Sequence, residues 1–311
     1  MLALWIVLGI LGFVVVAWLG VMLWLFLSIF HRKQSEPFLE IDLSNTHYAP
    51  YVEPLYANIR KMLAREYKDV TIKSFDNKTL CAKYFDNNNS DKTAILVHGY
   101  TSNGFNNLSV VGNELIEHGY NVLVVVQRGH DKSQGMFITA GAKEQYDLIK
   151  WEEWVETNTS ATQIVIYGVS MGCATTSFAS DKLTSDKVKC LVLDCGYTAF
   201  DEQIEHLLRT RHLPVHLIMP VLKLYARIFM GVDLHKNRAT DTLSRTKYPC
   251  MFVYSTGDET IPFSDIERNY NACPTEKKLY VVEKAGHTAS MLAAGKEGEK
   301  ELFEFLDKYI K

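Results

Sequence analysis

From residue 93 onward, short dense apolar runs alternate with segments whose apolar residues are spaced three and four apart. The runs at 93–98, 121–126, 163–168, 188–194, 250–256 and 278–284 are rich in Val, Ile, Leu and Tyr. Runs of this length and content read as strands buried on both faces. The segments at 106–118, 141–157, 172–183, 263–272 and 297–310 read as helices. Strict alternation of the two implies a parallel sheet covered on both sides. Ahead of it, 71–75 and 80–85 flank the turn Asp76-Asn77-Lys78. This predicts an antiparallel hairpin that completes an eight-stranded sheet of the α/β class.

Two stretches break the rhythm. Residues 2–30 contain no charged side chain. About 20 apolar residues cross a bilayer core, so the segment is long enough for a transmembrane helix. A buried helix of this length without a polar face would be unusual in a domain of this size. A cleaved signal peptide would show a basic leader, a shorter apolar core and a small-residue exit, none of which is present. The reading is a retained single-pass anchor, residues 1–33, whose removal is expected to release a soluble, active domain. His31, Arg32 and Lys33 follow the span and only the amino terminus precedes it. The positive-inside rule then places the rest of the chain in the cytoplasm.

Residues 34–69 read as a juxtamembrane connector, punctuated by Pro37, Pro50 and Pro54, with helical spacing at Ile59, Leu63 and Tyr67. The second break lies between Asp194 and Pro249, where about fifty residues stand in place of one crossover helix. Helical spacing around Ile204 to Arg211 and over 215–230 predicts a small helical cap at about 196–247 of the domain 70–311.

Composition adds little to this picture. The 311 residues are 47% hydrophobic and 22% charged, with a net charge of −3, so nothing argues for nucleic acid. Cys81, Cys190 and Cys250 fall in expected strands and Cys173 in an expected helix, which suits buried thiols better than a disulfide framework. Cys195 and Cys273 fall near loops. No zinc-type spacing and no phosphate-binding loop is present.

The chemistry concentrates at Gly168-Val169-Ser170-Met171-Gly172, between a strand and a helix of small residues. G-x-S-x-G in that setting is the pattern of a nucleophile elbow, which holds a serine hydroxyl exposed on a tight turn. The glycines let strand and helix pass closely. The run 94–97 ends in His98-Gly99-Tyr100, where a turn can aim the N–H of Tyr100 at the pocket. With the N–H of Met171 it would form an oxyanion hole. The run 250–256 ends in Gly257-Asp258, and the run 280–284 leads to Gly286-His287. Ser170, Asp258 and His287 therefore occur in the chain order of one known triad arrangement. His98 reads as structural, since it precedes the oxyanion loop. Asp194, which also ends a strand, is the competing acid.

These motifs make the chain, from about residue 70 to its end, resemble the α/β-hydrolase superfamily. Within it the resemblance is to bacterial membrane-anchored hydrolases of the serine-aminopeptidase-like and acyl-esterase-like kind. Arg128-Gly129-His130-Asp131-Lys132-Ser133 resembles that family's D-x-R-G-H-G-x-S loop, with Val126 in place of Asp and Asp131 in place of Gly. Asp194-Cys195-Gly196-Tyr197-Thr198 also resembles this subgroup.

The expected activity is that of a serine hydrolase cleaving carboxylic esters of small, medium or lipid-like acyl groups through an acyl-enzyme. Ser170 attacks, His287 moves the proton, and Asp258 orients the imidazole. No metal or organic cofactor is called for. The same residues would serve a thioesterase or depalmitoylase. An aminopeptidase would need a cap acid such as Asp201, Glu202 or Glu205 to hold an ammonium. A reading from another class is a non-catalytic membrane-anchored binding protein. The expected partners are a small-molecule or lipid ester and the membrane, and the pattern is silent on oligomeric state.

Overall fold

A computed structural model describes residues 1–34, 39, 43–44 and 46–311. The expected sheet is present. Its strands are β1 (Lys68–Lys73), β2 (Thr79–Phe85), β3 (Lys92–Val97), β4 (Asn121–Val126), β5 (Gln163–Val169), β6 (Val188–Asp194), β7 (Cys250–Ser255) and β8 (Lys277–Val282). They lie in the order β1-β2-β4-β3-β5-β6-β7-β8. The hairpin β1–β2 and the pair β2–β4 are antiparallel, and every other pair is parallel. Strands β4 and β7 are buried along their whole length, which is why they read as unbroken apolar runs.

Nine helices follow the first, α1 (Leu2–Phe30), among the described residues: α2 (Val52–Leu63), α3 (Phe105–Glu117), α4 (Glu144–Asn158), α5 (Met171–Ala179), α6 (Phe200–Thr210), α7 (Val215–Tyr225), α8 (Ala239–Leu243), α9 (Phe263–Ala272) and α10 (Ser290–Tyr309). One face of the sheet packs Trp151 of α4 and Phe178 of α5 onto Ile95, Ile166 and Leu191. The other packs Ile59 and Met62 of α2, Leu108 of α3 and Leu306 of α10 onto Leu96, Val124 and Val253. The connector helix starts and stops earlier than its spacing suggested. It buries Leu55, Ile59 and Met62, and Tyr67 lies beyond its end. The connector's Pro37 lies outside the described residues. The last helix begins seven residues before the expected position, because Gly295 takes a left-handed φ of 54° and the chain stays helical on both sides of the kink.

A third apolar cluster stands apart from the sheet. It joins Met22, Phe26 and Phe30 of α1 to Ile204 and Leu208 of α6 and to Ile218, Met219 and Leu222 of α7. The last third of α1 is therefore packed into the cap, with Met22, Phe26 and Phe30 only 3%, 0% and 1% exposed. Residues 2–21 have exposed side chains apart from the half-buried Trp18. The chain leaving α1 is also strapped to the loop after β4. The N–H groups of Arg32 and Lys33 donate to the carbonyls of Met136 at 2.8 Å and Gly129 at 2.9 Å, and the N–H of Ile138 donates to the carbonyl of Phe30 at 2.7 Å. The boundary expected at residue 33 thus cuts through packed structure. The whole segment 1–33 cannot be lifted off without opening the cap cluster.

Candidate active site

Four segments that follow parallel strands meet at the carboxyl edge of the sheet, where ligands bind in open α/β folds. The turn after β5 carries Ser170 at φ 55° and ψ −117°. A non-glycine residue there is strained, and the strain is held by neighbours. The N–H of Ser170 donates to the carbonyl of Asp194 at 2.8 Å. A Cβ at Gly168 would run into the backbone of Gly172, and one at Gly172 into the carbonyl oxygens of Val97 and His98. Both glycines are thus demanded by the close passage of α5 over β5 and β3.

Ser170 Oγ lies 2.8 Å from His287 Nε2. His287 Nδ1 lies 2.7 Å from Asp258 Oδ2. The second oxygen of Asp258 accepts the N–H groups of Thr260 at 2.8 Å and Ile261 at 2.9 Å, so the carboxylate is fixed at both ends. With Nδ1–H donating to Asp258, Nε2 of His287 is left to accept the serine proton. Asp194 is buried beside this array but turned away from the imidazole, accepting the hydroxyl of Tyr167 at 2.7 Å. Burial raises its pKa to about 6, against the pull of Tyr167.

The loop after β3 brings Gly99 and Tyr100 over Ser170, and both line the same cavity as the serine. Met171 opens α5, so its N–H is among those a helix cannot pair internally. Two buried histidines hold this loop. His98 Nδ1–H donates to the carbonyl of Gly99 at 2.7 Å, and Nε2 accepts the N–H of Gln127 at 3.0 Å. His130 Nε2 accepts the N–H of Thr101 at 3.2 Å, and its Nδ1–H donates to the carbonyl of Arg128 at 3.1 Å. Burial drives the pKa of His98 down to about 3 and that of His130 to about 4, with the neighbouring His130 adding to the effect on His98. The structural role expected of His98 is the one seen. Asp131 stands at φ 38°, the left-handed conformation in which the resembled motif places a glycine.

The cavity above Ser170 measures about 480 Å³. Its floor is polar, with Asn107, His287 and Thr288. Its walls are apolar: Met171, Phe200, Ile204, Leu207 and Leu208 from the elbow and cap, with Leu25 and Ile29 of α1. The Tyr100 hydroxyl donates to the carbonyl of Ile29 at 2.6 Å, tying the loop after β3 to α1.

The family model described as the alpha/beta hydrolase fold matches residues 93–248. The chain belongs to that family. Among curated proteins the hydrolase is similar to the uncharacterised Bacillus subtilis (strain 168) protein YqkD, 29% identical over 217 residues, covering 69% of this chain and 71% of the relative. It is also similar to the uncharacterised membrane protein YNL320W of Saccharomyces cerevisiae, 21% identical over 230 residues, 74% and 76% of the two chains. Among solved structures, the Pyrococcus furiosus esterase Pf2001 superposes with a TM-score of 0.65 at 27% identity, covering 81% of this chain and 96% of its own. Est1E from Butyrivibrio proteoclasticus, solved with ferulic acid, gives 0.59 at 18% identity over 79% and 99%, a likeness of fold.

Several contributors in the hydrolase had no distinct sequence signal. His47 and Tyr48, from the connector, line the cavity and pack against each other at 4.2 Å between ring centres, tilted by 41°. Tyr48 is hydrogen-bonded to Thr288, next to His287. Leu25 and Ile29 sit in a helix that is apolar on every side, so no periodicity marked the face that meets the pocket. The six cysteines are all free thiols, including Cys195 and Cys273, which are buried despite their place near loops.

Proposed function

We propose that this hydrolase cleaves carboxylic esters through an acyl-enzyme formed on Ser170. The observation that carries the reading is the hydrogen-bonded relay from Ser170 through His287 to Asp258 at the floor of an apolar cavity. Ser170 Oγ attacks the acyl carbonyl as its proton passes to His287 Nε2. The alcohol leaves with that proton. Water then attacks the acyl-serine, giving its proton to His287, and the acid is released as Ser170 is regenerated. Asp258 holds the Nδ1–H tautomer and balances the imidazolium. The N–H groups of Tyr100 and Met171 receive the oxyanion, a contribution of about 3 kcal/mol per donor at comparable sites. The likeness to an esterase at 27% identity supports this reading.

The aminopeptidase alternative loses its support at the cap. Asp201 pairs with Lys223 at 3.0 Å, Glu202 with Arg268 at 2.7 Å, and Glu205 with Arg209 at 3.6 Å. None of the three lines the cavity, and among the described residues no other carboxylate does. We further assign α1 as a retained membrane anchor with the hydrolase domain on the cytoplasmic side. The burial of Phe26 and Phe30 under the cap supports retention, because cleavage would leave the cap cluster open to water. The test is Ser170→Ala, assayed with 4-nitrophenyl butyrate and with a fluorophosphonate probe. The variant should lose about 10³- to 10⁶-fold in turnover and all labelling. Undiminished butyrate hydrolysis would remove Ser170 from its role, and absence of labelling in the natural chain would favour a non-catalytic binding protein.

A further inference from the structure

Helix α7 is apolar on two opposite sides. Ile218, Met219 and Leu222 face inward and are buried against α1 and α6. Leu217, Leu224 and Ile228 form an outer stripe, 51%, 51% and 62% exposed, on the helix and the π-helical turn that continues it. Their spacing of seven and four residues puts them on one line. A helix apolar all round is normally enclosed, by protein or by lipid.

Three observations say what covers this stripe. The exposed part of α1, residues 2–21, extends about 30 Å at about 1.5 Å per residue, the thickness of a bilayer core. The Tyr225 hydroxyl, at the end of α7, donates to the carbonyl of Leu19 at 3.0 Å. The end of α7 therefore lies level with the place where α1 passes from exposed to packed. Finally, Leu25 and Ile29 of α1 and Leu207 of α6 line the cavity that ends at Ser170.

We infer that the outer face of α7 rests on the membrane surface, and that the acyl chain of a membrane-resident lipid ester reaches Ser170 between α1 and α6. The inference rests on the esterase reading above and narrows its substrate to esters drawn from the bilayer. The exposed rim residue Arg211 lies where the headgroup would remain outside.

The full-length chain is reconstituted into vesicles of phosphatidylcholine and phosphatidylglycerol. The vesicles carry 4-methylumbelliferyl oleate either with the enzyme or in separate vesicles, and 4-methylumbelliferyl butyrate in water is assayed on the same preparation. Oleate in the enzyme's own vesicles should be hydrolysed at least about tenfold faster than oleate in separate ones, as direct access from the bilayer requires. The triple variant L217S/L224S/I228S should lose about tenfold on membrane oleate and keep butyrate hydrolysis within about twofold. The single variant I228E, repelled by the phosphatidylglycerol surface, should show the same split, in case the triple variant does not fold. Equal losses on both esters, or equal rates from own and separate vesicles, overturn the inference. So does unchanged oleate hydrolysis in both variants. A chain that cleaves butyrate through Ser170 but never oleate overturns this inference alone. A chain whose butyrate hydrolysis survives Ser170→Ala overturns the esterase reading and this inference with it.

Discussion

Two carboxylates end strands within reach of the site, and their surroundings separate their roles. Asp258 spends one oxygen on His287 and the other on two backbone N–H groups, while Asp194 spends its bond on Tyr167. Asp258→Asn should lower kcat by about 10⁴, as trapping the wrong imidazole tautomer does. Asp194→Asn should act mainly on stability, and a larger kcat loss there than at Asp258 would redraw the triad. The buried histidines make a second prediction. In the folded chain His98 and His130 stay neutral down to pH values of about 3 and 4, whereas unfolded histidine takes its proton at 6.5. Between those limits the unfolded state binds more protons, so stability is full above pH 6.5 and falls as pH drops. Each group contributes about 1.4 kcal/mol per pH unit at most within that window. His130→Asn should flatten the fall of Tm between pH 6.5 and 4, and an unchanged slope would count against it. Ser170, Asp258 and His287 were legible because each follows an apolar run and keeps a fixed chain order. His47, Tyr48 and Asn107 were not, because the contacts that bring them to the site join segments up to 240 residues apart.

At the scale of elements, strands were easier to place than helix ends. A strand buried on both faces shows itself as a run, whereas helix ends depend on local backbone choices such as the left-handed Gly295 within α10. The cap was legible as a break in rhythm, but its dependence on α1 was not. An apolar periodicity that fills every position carries no information about which side packs. The structure supplies that side as Met22, Phe26 and Phe30, and it predicts a boundary. Truncation before Met22 should leave a folded hydrolase with its cap intact. Truncation after Lys33 should give a less stable chain with weakened ester hydrolysis, since the cap cluster loses its α1 layer. Phe26→Ala should cost about 3–5 kcal/mol, read from chemical unfolding, as large core aromatics do. Equal stability of the two truncations would return α1 to the status of a simple tether.

For the whole molecule, the proposed anchor carries a prediction about the side on which the hydrolase lies. Two basic residues after the span, Arg32 and Lys33, bias that flank toward the cytoplasm. The backbone N–H groups of both are also engaged with the loop after β4, as is the side chain of Arg32, which bonds the carbonyls of Asp131 and Ser133, while Lys33 Nζ donates to the carbonyl of Ser28. A cysteine placed at Asn88, on the exposed loop after β2, should resist membrane-impermeant thiol reagents until cells are opened. Labelling in intact cells would put the hydrolase outside.

The bond from Tyr225 to Leu19 spans 206 residues of chain. Ribosomes add about 5–20 residues per second, so on the order of 10–40 s separate the synthesis of its two ends. During that interval α1 exists without the helices that will cover Met22, Phe26 and Phe30. Helix α1 thus waits for a segment made some 206 residues later before the pocket has its wall. With α1 as the proposed anchor, delivery to the bilayer precedes assembly of the acyl pocket, so a nascent chain is held at the membrane before it is armed.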